Sequence, residues 1–165
     1  MENANLTIPY FSTGFKRLWS PWQDIETQFL KEVAAAEKSI YMIIYGFHLP
    51  KLTDILLAKK QAGISVKCIF DLTQSRGKAE LVEIKRILDA QILSLIGKSP
   101  VAGQIIHEKM IILDEVKTIS GSWNFSLSAQ KQVNHMDFIY SKEMAQTGIE
   151  IFNELWSQVE AEAKK

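Results

Sequence analysis

The sequence predicts an α/β fold: a mixed β-sheet with helices on both faces. Two observations predict it. In the first half of the chain, short runs of β-branched and aromatic residues alternate with segments whose apolar residues recur at helical spacing. In the second half, strand-like runs follow one another through short polar turns, as antiparallel strands do. The length of 165 residues suits one domain spanning 1–165, and the 47% hydrophobic content is enough for a real core.

Each element has its own signal. Residues 7–11 read as a first strand. Ser20-Pro21 reads as a helix start, a capping hydroxyl before proline at the first helical position. That helix is expected to reach about residue 37, with Trp22, Ile25, Phe29 and Val33 on its apolar face. Residues 39–47 form a buried strand and 50–62 a helix closed by Gly63. A strand over 64–71 leads through a polar loop, 72–77, to a helix over 78–90 with Leu81, Ile84 and Leu88 on one side. A short strand at 92–96 and a loop at 97–103 follow. Residues 104–113 and 117–120 read as a hairpin turning at 114–116. A strand at 133–140 and a helix at 141–160, striped with Ile149, Phe152, Leu155, Trp156 and Val159, close the pattern. Trp19, Trp22 and Trp156 read as core or dimer-surface anchors, and Trp123 and Phe125 as core.

Charge and cysteine content exclude some functions. Nineteen basic and nineteen acidic residues balance, so the chain as a whole exerts no pull on a polyanion. The distribution is uneven: residues 59–86 are locally basic and 137–165 acidic. Cys68, the single cysteine, lies in an apolar run and reads as a buried thiol; it has no disulfide or metal partner in the sequence. No apolar run is long enough to span a membrane, and residues 1–10 lack the pattern of an export signal. The expectation is a soluble cytoplasmic protein, although an exported form with its signal removed would read the same.

The chemistry concentrates in Ile106-His107-Glu108-Lys109 and in Gly121-Ser122-Trp123-Asn124. Alternation on a strand projects His107 with Lys109, and Ser122 with Asn124, onto one floor, with Glu108 and Trp123 turned away. An imidazole can attack phosphorus, while an ammonium, an amide and a hydroxyl hold the non-bridging oxygens. A departing alkoxide also needs a proton, for which a second imidazole is the natural donor. The segment supplies one histidine, and a two-fold dimer would supply the other. Asn124 also reads as a cap for a helix over 125–131. His48 and His135 read as incidental.

The spacing His107-x-Lys109-x4-Asp114-x6-Gly121-Ser122-x-Asn124 fills every position of the H-x-K-x4-D-x6-G-S-x-N pattern of the phospholipase D superfamily. The chain resembles the small single-motif bacterial nucleases of that group. The resemblance implies an active site at a two-fold dimer interface and no cofactor or metal. It implies His107 as nucleophile in one subunit and general acid in the other, with Lys109, Ser122 and Asn124 on the phosphate. Asp114 and Gly121 would be supporting residues, Asp114 holding the hairpin turn. One departure stands out. Related nucleases carry N-x-E-N after the motif, with a glutamate that orients the histidine; here Asn134-His135-Met136-Asp137 puts Met136 at that place. Asp137 would substitute if the strand were bulged by one residue. The implied activity is phosphodiester hydrolysis, with DNA or RNA as substrate and no membrane partner. Phospholipid hydrolysis or phosphatidyl transfer, and a non-catalytic nucleic-acid-binding dimer, are the alternatives.

Overall fold

The structure, a computed structural model, describes residues 14–164; the strand expected at residues 7–11 lies outside them. The elements in chain order are β1 (Phe15–Ser20), α1 (Ile25–Ala34), β2 (Ser39–Ile44), β3 (Phe47–His48), α2 (Pro50–Gln61), β4 (Ser65–Asp71), α3 (Lys78–Asp89), β5 (Leu93–Gly97), β6 (Lys109–Leu113), β7 (Lys117–Gly121), β8 (Phe125–Ser126), β9 (Asn134–Tyr140) and α4 (Lys142–Ala163). Seven strands form one sheet in the order β1-β9-β7-β6-β2-β4-β5. The β2, β4 and β5 strands are parallel, linked by α2 and α3, and the remainder run antiparallel. The short strands β3 and β8 pair separately.

Alternation along β2 explains the layers. Ile40, Met42 and Ile44 join a core with Phe29 of α1, Leu52 and Leu56 of α2, and Ile84 and Ile87 of α3. Ile43 joins Ile69, Phe152 and Val159 in a second core against α4. A strand covered on both faces is apolar along its length, as β2 is after its opening Ser39. Burial pushes the Cys68 thiol up to about 12, so it packs as an inert apolar group. Gly148 lets α4 lie close on the sheet, since a Cβ there would meet Ile112 Cδ1 at 2.7 Å.

Four expectations need correction. Ser20 does not cap a helix; it ends β1, and its hydroxyl donates to the carbonyl of Gln132 at 2.8 Å. The cap is Asp24, whose carboxylate accepts the Thr27 N–H at 3.0 Å, and Trp22 is left 66% exposed. The strand expected over 39–47 breaks after Ile44, because the chain turns aside at Tyr45-Gly46 before resuming as β3. On α3 the buried face carries Glu83, Ile84 and Ile87, while Leu81 and Leu88 are 51% and 45% exposed. Two overlapping apolar sets were available on that helix, and the sheet selected the set centred on Ile84 and Ile87. The fourth correction concerns the hairpin: its first strand begins at Lys109 rather than at residue 104.

The hairpin turn is tied to the rest of the sheet by Asp114. Asp114 and Glu115 adopt left-handed backbone with φ of 54° and 61°, a conformation a short polar aspartate tolerates. The Asp114 carboxylate accepts N–H bonds from Glu37, Lys38 and Ser39 at 2.7–3.1 Å, and its own N–H donates to the Ser39 carbonyl at 2.9 Å. Burial raises its pKa, but the three backbone donors outweigh burial and hold it below the usual carboxylate range. A group whose folded pKa is depressed stabilises the fold above its unfolded value of about 4 and ceases to do so as pH falls through the folded value. Asp114→Asn is therefore expected to cost about 1–3 kcal/mol in urea unfolding at neutral pH. The gap between the two proteins should narrow as the measurement moves from pH 6 to pH 3.

Candidate active site

The motif residues other than Asp114 lie at the end of the sheet where β2, β4 and β7 finish and β6 and β9 begin. The first half of the motif precedes or opens β6, and the second half follows β7, so the hairpin brings both to one edge. His107 lies outside regular strand and is exposed. Its place is set by Asp71, fully buried at the end of β4. One Asp71 oxygen accepts the N–H groups of Thr73 and Gln74 at 2.8 and 3.0 Å; the other accepts that of Ile106 at 2.9 Å. The last bond pins the backbone one residue before His107 and draws the chain out of the β-ladder.

Lys109 is 4% exposed. Its ammonium donates to the His107 carbonyl at 2.5 Å and lies 5.0 Å from the centre of the Tyr45 ring. Among the described residues no carboxylate pairs with it. Burial lowers its pKa, with partial opposition from Glu108. The Tyr45 ring also meets the His107 ring edge-on, with centroids 4.6 Å apart, and its hydroxyl accepts a bond from Gln74 Nε2 at 2.9 Å. Neither Tyr45 nor Asp71 was assigned a site role from the sequence. The available signals were an aromatic residue and an aspartate, each closing an otherwise apolar strand.

Across the hairpin, Asn124 rests against Gly46, where an added Cβ would come within 3.2 Å of its Cγ and Oδ1. Its Oδ1 is buried without a hydrogen-bond partner, and its Nδ2 has none among the described residues. The helix it was expected to cap is instead the short β8 and a single turn of 3₁₀ helix. Ser122 rivets β7 to β9: its hydroxyl donates to Asn134 Oδ1 at 3.1 Å and accepts the His135 N–H at 3.1 Å. Gly121 permits that approach, since a Cβ there would fall 2.3 Å from the His135 carbonyl. Trp123 and Phe125 are buried against Phe29.

Neither Met136, at the place of the orienting glutamate, nor Asp137, its expected substitute, faces the motif. Met136 is buried in the main core, and β9 runs unbulged in register with β7 and β1. Asp137 instead forms a two-pronged pair with Arg17 at 2.5 and 2.6 Å. The side chains of this segment that meet the motif are Asn134, which accepts from Ser122, and His135, whose Nδ1 lies 3.4 Å from Ser122 Oγ.

A family model described as "Cardiolipin synthase, PLD-like domain" matches residues 29–156. The chain belongs to the phospholipase D-like family. It is 31% identical to a phospholipase D of Rickettsia prowazekii over 135 residues, 78% of this chain and 63% of that protein. The chain thus spans less than two thirds of the length of that relative. Among solved structures it resembles Nuc, a phospholipase D family member from Salmonella typhimurium, with a TM-score of 0.81, 27% identity, and coverage of 87% of this chain and 94% of that one. NucT from Helicobacter pylori shares the fold, with a TM-score of 0.76, 17% identity, and coverage of 87% and 97%. In this phospholipase D-like chain the Asp71 clamp gives a direct expectation. In Asp71→Asn, the backbone amide of Ile106 should exchange hydrogen for deuterium at least tenfold faster than in the parent. That factor follows from losing a charge-assisted bond worth about 1.5–3 kcal/mol. Unchanged exchange there would refute the clamp.

Proposed function

We propose that the chain is a phosphodiesterase, an endonuclease that hydrolyses DNA or RNA without a metal ion, through a phosphohistidine formed in a homodimer. The observation that carries this reading is one cluster: an exposed imidazole at His107 beside the poorly solvated, unpaired ammonium of Lys109, with the free amide nitrogen of Asn124 across the hairpin. A cation held away from water, with no carboxylate in direct contact among the described residues, interacts strongly with an incoming anion. Lys109 and Asn124 are the groups that grip the non-bridging oxygens. Ser122 supports them mainly by fixing β7 to β9, because its hydroxyl hydrogen is engaged with Asn134.

In the first step a ring nitrogen of His107 attacks phosphorus and the bond to the leaving oxygen breaks. That oxygen takes a proton from His107 of the second copy. Water then attacks the phosphorus, gives its proton to that second imidazole, and the phosphorus–nitrogen bond breaks. The two imidazoles work as one coupled pair. Asp114, at the far end of the hairpin, supports the fold alone.

A second reading, hydrolysis of phospholipid or phosphatidyl transfer, draws on the name phospholipase D carried by the Rickettsia relative and on the description of the family model. Among the described residues no helix is long and apolar enough to cross a membrane. The similarity to Nuc, which covers 94% of that protein, supports reading the chain as a small single-motif enzyme.

The test is an incubation in chelator with plasmid, single-stranded oligonucleotide, RNA and phospholipid vesicles. Cleavage of nucleic acid with intact lipid is expected, and the reverse would install the second reading. His107→Ala should lose at least a thousandfold in turnover while remaining folded and dimeric. Inhibition by chelator that added metal reverses would contradict the mechanism.

A further inference from the structure

The face of the sheet on the side of α4 is only partly covered. Helix α4 packs over β2, β5, β6 and β7. Beyond it, β1 and β9 present cross-strand pairs on the same side: Phe15 with Ile139, Arg17 with Asp137, and Trp19 with His135. The last pair lies at the end of the sheet that carries the motif. The Trp19 and His135 rings are 5.2 Å apart and inclined at 45°, and Trp19 remains 38% exposed. The Arg17 guanidinium lies 5.8 Å from the Trp19 ring centre and 5.7 Å from that of Phe15. Two bonds join this row to the motif: His135 Nδ1 reaches Ser122 Oγ, and the His135 N–H donates to the same oxygen.

We infer that Trp19 and His135 form a subsite for one unpaired nucleotide next to the phosphate being cleaved. The inference rests on the nuclease reading above and narrows its substrate to single-stranded nucleic acid. Three features select this occupant. The accessible indole offers a flat apolar face, and every base has a π-face to lay on it. The imidazole, with Nδ1 turned to Ser122, leaves Nε2 as the polar group toward the ligand. Ser122, which bonds His135, directly follows β7, whose partner β6 opens at Lys109, so the subsite borders the motif end of the hairpin. A base held in a duplex is already stacked and paired, so it does not reach such a platform without unpairing. A phospholipid has no base to offer. The balance of charge agrees, since Arg17 is neutralised by Asp137 and the site grips its ligand by stacking more than by attraction to a long polyanion.

The test compares one short single-stranded oligonucleotide, the duplex of the same sequence, and bis(p-nitrophenyl) phosphate, a small diester with no nucleobase. Wild-type protein is expected to cut the single strand in preference to the duplex. Trp19→Ala should raise KM for the single strand roughly tenfold, as the loss of one stacked base does. That loss should exceed any change in kcat, and exceed the change in kcat/KM for the small diester by a similar factor. Trp19→Phe should restore most of the lost KM, and His135→Ala should move KM in the same sense as Trp19→Ala. Equal losses on the oligonucleotide and the small diester would overturn the subsite while leaving the nuclease reading intact. So would dissociation of the dimer in Trp19→Ala by analytical ultracentrifugation, which would assign the indole to contact between copies. Hydrolysis of the small diester with both nucleic acids untouched would remove the nuclease reading and the subsite together.

Discussion

The ammonium of Lys109 is held almost out of water at the end of a sheet, with a backbone carbonyl and an aromatic ring for company and, among the described residues, no carboxylate in an ion pair with it. Burying an unpaired charge is unfavourable, and a fold retains one only where surrounding structure enforces it. Here the enforcement is visible. Lys109 is the first residue of β6 and pairs with Ile44 at the end of β2, so its backbone is fixed by the central ladder. Tyr45, the next residue after that strand, places its ring against both the ammonium and the His107 imidazole. The site is consequently an extension of the sheet's hydrogen bonding, and its precision is that of the sheet.

Two aspartates perform similar work at opposite ends of this arrangement. Asp71 gathers three backbone N–H groups and directs the chain into His107. Asp114 gathers three others and fastens the hairpin turn to the start of β2. Each replaces ladder bonds that the backbone gives up where it leaves regular structure, so few buried N–H groups go unpaired there. One of the two belongs to the motif and the other does not, although the physical task is the same.

Much of this was legible in the sequence. The βαβ alternation, Gly63 closing α2 with φ of 81°, and the hairpin from Lys109 to Gly121 all follow from local periodicity and turn chemistry. The motif spacing matches the hairpin, which brings the opening of β6 at Lys109 and the end of β7 at Gly121 to one edge of the sheet. What periodicity does not encode is where a strand is diverted by a side chain distant in sequence. The late start of β6 depends on Asp71, 35 residues before Ile106. The break at Tyr45-Gly46 accommodates Asn124. The start of α1 turned on whether Ser20 was needed elsewhere, and it was, by the carbonyl of Gln132 on the lead-in to β9. Which residues of β9 meet the motif depended on register, and register placed Asn134 and His135 there instead of Met136 or Asp137.

The orphaned amide oxygen of Asn124 has an evolutionary corollary. An unsatisfied buried acceptor weakens a protein by about 1–3 kcal/mol, and many neighbouring substitutions would supply a donor or remove the acceptor. Such changes are accessible and would make the protein hardier, yet under the proposed function they would turn the amide away from the substrate phosphate. Heat-selected variants of this chain should thus drift toward repairing Asn124, and selection for turnover should drive them back.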